Sequence, residues 1–181
     1  EKGVALLDIV EPGASPSRRT IRIAGWCAYS SGIVSIFGIS FLFALYLTLF
    51  APGEDIGFGM LNDISVVVQY TLALPIVHTL YQIFRRYRPV LSLVATLLAI
   101  VGIVAADVLQ IMLVIGVLSF GQQVGMVIVE FMIILAWFVI TGYMVRSTEK
   151  LPGSMLLHVL AGLYIGYPVW AFLLGRQLLR P

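Results

Sequence analysis

The chain has 181 residues, 60% of them hydrophobic and 11% charged, with a net charge of +2 and a mean hydropathy of +1.03. Soluble domains hold about 45–50% apolar and about 25% charged residues, so a water-soluble globule is excluded, as are a disordered chain and a basic nucleic-acid-binding face. A lone cysteine, Cys27, excludes an internal disulfide.

Residues 1–22 form a polar leader with two prolines, several acids and the run Ser17-Arg18-Arg19. It lacks the basic start and apolar core of a signal peptide and is expected to lie on the cytoplasmic membrane surface. From residue 23 onward the chain reads as an all-α integral membrane bundle. A crossing helix needs about 20 mainly apolar residues, and five stretches meet that need: 24–50, 61–84, 90–119, 122–145 and 154–174. Between them lie Glu54-Asp55, the run Arg85-Arg86-Tyr87-Arg88-Pro89, an uncharged turn around Phe120-Gly121-Gln122-Gln123, and the polar link 146–153.

Lysine and arginine collect in cytoplasmic loops. With the N-terminus inside, the inner face holds Lys2, Arg18, Arg19, Arg22, Arg85, Arg86, Arg88, Arg146 and Lys150, and the outer face holds only Arg176 and Arg180. Five crossings then put the C-terminus outside.

Polar residues in lipid are costly and turn inward, and a rise of about 1.5 Å per residue gives each a depth. Gln69, Asp107, Gln110 and Glu130 fall into one layer, roughly 4–9 Å outside the midplane by that rise. Two carboxylates at one level in a low dielectric do not both ionise readily, which suits a proton or cation site. The competing reading is hydrogen-bonded helix glue. A second level, toward the inside, holds the two histidines, His78 and His158. Facing each other, they offer axial ligands for a b-type haem or a place in a metal site. Otherwise each donates to a backbone carbonyl, His78 to one freed by Pro75.

Gly162 and Gly166, and Ser31 and Ser35, repeat the small-xxx-small spacing of close helix packing. Pro75 and Pro168 interrupt the second and fifth spans. Trp26, Tyr29, Tyr81, Tyr87 and Trp170 suit an interfacial belt, while Trp137 lies deeper, filling the bundle or facing a lipid or pigment. No phosphate-cradling loop, zinc-protease motif or nucleophile elbow is present, and no inverted repeat is visible.

Arg22-Ile23-Ala24-Gly25, Leu61-Asn62-Asp63-Ile64, Leu74-Pro75-Ile76 with Tyr81, and Leu151-Pro152-Gly153 give the chain its one family likeness. Over about residues 18–180 it resembles a family of uncharacterised bacterial multi-pass membrane proteins. That resemblance implies a bacterial inner membrane and brings no catalytic residue or cofactor. The reading favoured by the sequence is a non-enzymatic accessory or scaffold subunit of a larger membrane complex, in contact with lipid and with a protein partner or further copies of itself. The alternatives are a small proton-coupled transporter using the intramembrane acids, and a protein binding haem b or a pigment.

Overall fold

The computed structural model describes residues 16–49, 57–148 and 163–179, and these are helical apart from short turns. The helices are α1 (Arg18–Leu49), α2 (Phe58–Phe84), α3 (Pro89–Val114), α4 (Phe120–Thr148) and α5 (Leu163–Leu179). The first four are each long and apolar enough to cross a membrane, and only 22–28% of their spanning windows is buried inside the protein. The oily side chains therefore face outward. Phe37, Phe43, Leu97, Val101, Ile128 and Met132 are all exposed, the arrangement that lipid as solvent favours.

Local chemistry sets the helix ends. The Thr20 N–H donates to Ser17 Oγ at 3.1 Å, an N-cap that starts α1 at Arg18. The basic residues Arg18, Arg19 and Arg22 consequently lie on its first turns, and helix replaces the last residues of the expected leader. Pro89 at the first position opens α3. At its other end Gly116 takes φ +72°, and the Gly116 and Val117 N–H groups donate to Leu113 O and Met112 O. This paired closure needs a left-handed residue, which glycine supplies without a Cβ penalty. The third span therefore ends at Val114 rather than 119. Gln122 caps the start of α4, its Oε1 accepting from the Ser119 N–H at 2.9 Å.

Neighbouring helices pack in the order α5, α1, α2, α3, α4. Small residues set the closest approaches. A Cβ on Gly102 would stand 2.7 Å from Ile134 Cγ1, which brings α3 onto α4. A Cβ on Gly175 would stand 2.9 Å from both Gly25 O and Tyr29 Cδ2, so α5 rides directly on α1. Large aromatics join the two ends of the row. Trp137 and Phe138 of α4 meet Tyr167 and Trp170 of α5, with ring centroids 5.1 Å apart for Phe138 and Trp170. Trp170 is thus buried in this cluster, not placed in an interfacial belt, and Trp137 fills the bundle.

The direction of α5 is set by its contacts with α1. Gly25 faces Leu179 and Gly175, while Gly32 faces Pro168 and Ala171, so α5 runs antiparallel to α1. Its end at Leu179 lies beside the start of α1. The described chain ends therefore share one end of the bundle, where opposite faces were expected. Arg176 moves with it. Only part of the fifth span is described, as a helix of 17 residues; residues 154–162 lie outside the described residues.

Candidate functional site

Three helices carry the same stripe to one place. On α1 the positions are Ser31, Ser35, Gly38 and Ile39; on α2 they are Asn62, Val66, Gln69 and Tyr70; on α4 they are Gln123, Val127, Glu130 and Phe131. Each set follows the i, i+4, i+7, i+8 spacing of one helical face. All but Ser31 and Gln123 line a cavity of about 240 Å³, together with Ile128 and with Gln110 of α3. The cavity lies in the half of the bundle remote from Arg18, Arg85 and Arg146.

Of the expected polar layer, Gln69, Gln110 and Glu130 meet in this cavity. Asp107 stands off it. Its Oδ2 accepts from Thr71 Oγ1 at 3.3 Å, on the α2–α3 seam, while its Oδ1 is buried without a hydrogen-bond partner. Glu130 is only 8% exposed, and its Oε1 likewise has no partner. A buried, unpaired carboxylate is expensive, so charge at Glu130 has to be neutralised by a proton or by a bound cation.

Several polar residues of the site escaped the depth argument. Asn62 is buried, donates through Nδ2 to Asp63 Oδ1 at 3.3 Å, and leaves its Oδ1 unpartnered. Gln123, expected in a turn, is buried and donates through Nε2 to Gln110 Oε1 at 3.1 Å. The signal for both was available: each begins the stripe that carries Gln69 or Glu130.

Ser31 is buried. It hydrogen-bonds Tyr167 Oη of α5 and donates to the Gln69 carbonyl of α2 at 3.3 Å, tying three helices just below the cavity. Ser35 lines the cavity itself. Gly166 is buried, and Gly162 lies outside the described residues. His78 does not turn inward: it is exposed, and its Nε2 sits 2.8 Å from Gln82 Nε2, one turn along α2. His158 lies outside the described residues, and among those described no three metal-ligating side chains cluster. Thr79 Oγ1 donates to the Pro75 carbonyl at 2.9 Å.

Four long apolar helices with a lipophilic exterior define a multi-pass membrane protein. No family model, no curated protein and no solved structure matches the chain.

Proposed function

We propose that this protein is a small proton-coupled transporter whose working site is the cavity around Glu130. The observation that carries the reading is an unpartnered carboxylate oxygen, on a residue 8% exposed, lining a cavity of about 240 Å³ within the membrane-spanning bundle. Such a group holds either a proton or a ligand, and competition between the two links their movements. Gln69 and Gln110 offer hydrogen bonds to the ligand. The oily exterior of the long helices is accounted for by lipid. It does not of itself argue for the partner subunit that the sequence favoured.

The proposed orientation puts the arginine end in the cytoplasm. Arg18, Arg19, Arg22, Arg85, Arg86, Arg88, Arg146 and Arg176 all lie there, and among the described residues no lysine or arginine lies at the other end. Four crossings with α5 packed in the inner half replace the five-span scheme, and the cavity falls in the outer half.

The test uses purified protein in liposomes with an imposed pH gradient and an internal pH-sensitive dye. Small amines, guanidines, amides, carboxylates and sugars are supplied in turn. At least one class should dissipate the gradient with the wild-type protein and fail to do so with Glu130→Gln. A wild-type protein that moves protons with none of them, or a variant that matches it, overturns the reading.

A further inference from the structure

We propose that the cavity ligand is a small organic cation that bears N–H donors and a short hydrocarbon part. The inference rests on the cavity being the working site, and it names the class of substrate.

The buried polar atoms of the cavity that lack a partner are acceptors. Glu130 Oε1 and Asn62 Oδ1 are both buried and unpartnered, on residues each 8% exposed. Two nearby amide donors are already committed. Asn62 Nδ2 donates to Asp63, and Gln123 Nε2 donates to Gln110. A ligand that satisfies this site must therefore bring hydrogen atoms to it. It must also bring positive charge. Every described arginine lies at the opposite end, whereas Asp63, Asp107 and Glu130 all lie in the cavity's half. No side chain of the described residues can neutralise Glu130 from within the protein.

Size and wall chemistry narrow the class. An apolar cavity of about 150 Å³ admits a molecule as large as benzene, so about 240 Å³ is far more than a bare alkali ion needs. Ile39, Val66, Val127 and Phe131 give the cavity apolar walls, which favour a ligand with hydrocarbon of its own. The rings of Tyr70 and Phe131 suit a cation as well. A guanidinium or alkylammonium headed by donors and carrying a few methylenes meets all of these demands.

The full-length protein in lipid nanodiscs is titrated by calorimetry with n-butylguanidinium and with n-butylurea, its neutral isostere. The cation should bind at least roughly tenfold more tightly than the urea, the scale of one buried charge pair. Glu130→Gln should erase that preference, and Asn62→Ala should weaken the cation several-fold. Titrations in buffers of different ionisation enthalpy provide a reading on the wild-type protein alone: cation binding should release a proton. Equal binding of urea and cation, binding of neither, or a cation affinity indifferent to Glu130→Gln in a folded variant overturns the proposal. Cation binding without proton-linked flux would remove the transport reading and leave the ligand class standing. Flux of a different solute class, with no cation binding, would do the reverse.

Discussion

Ser31 shows how much one small polar side chain can decide. In lipid an unsatisfied hydroxyl has no water to turn to, and Ser31 meets that need by joining Tyr167 and the Gln69 carbonyl. Tyr167→Phe should lower stability in detergent by about 1 kcal/mol, the usual net worth of a buried hydrogen bond, as read from the thermal unfolding midpoint. Because Ser31 retains Gln69 as a partner, a loss several times larger would mean that the tyrosine does something other than bond. Asp107 and Glu130 differ in the same instructive way. Depth along the chain put both in one layer, yet only Glu130 reaches the cavity, because Asp107 is turned toward Thr71 on the next seam. Asp107→Asn should therefore weaken proton-linked flux less than Glu130→Gln does in the same liposome assay.

At the scale of elements, glycine spacing explains why α5 can lie on α1. Adding a Cβ at Gly175 meets Gly25 O at 2.9 Å, and that atom is backbone. Gly175→Ala should destabilise the protein by about 1–3 kcal/mol, as overpacking does. Gly121→Ala offers a matched control, since nothing lies within 4 Å of a Cβ there. It should be neutral or raise stability by up to about 1 kcal/mol through helix propensity. Both are measured by thermal unfolding in one detergent, and equal losses would refute the close-approach account. The α3–α4 turn makes a similar point. Gln122→Ala removes the side chain that accepts from the Ser119 N–H and hydroxyl, and should cost about 1 kcal/mol.

Across the whole molecule, charge separates along the bundle axis. All described arginines gather at one end, and the three described acids lie in the other half. Arg176 joins the majority, because α5 descends beside α1; an arginine-rich end is the one that the proposed orientation keeps in the cytoplasm. A Cys27→Ser background carrying Ser17→Cys, Val117→Cys or Gln177→Cys tests the topology with a membrane-impermeant thiol reagent applied to intact cells. Position 117 should label from outside, and positions 17 and 177 only after the membrane is opened. Labelling of 177 from outside would restore the odd number of crossings.

The sequence by itself determined the apolar character of this protein and four of its long helices. Those are one-dimensional properties: hydrophobicity and the rise per residue run along the chain, and counting suffices to read them. It also held, unread, the stripes beginning at Asn62 and Gln123. What only the tertiary structure decided is rotation about each helix axis and the choice of neighbours. His78 points outward, Asp107 stands apart from Glu130, and Trp170 enters the core, although depth alone treated each differently. The direction of α5 belongs here too, because it depends on Gly25 and Gly32 meeting Gly175 and Pro168 across the chain's full length. Helix-to-helix fit between small residues, far apart in sequence, sets these outcomes, and no local pattern encodes which small residue will find which.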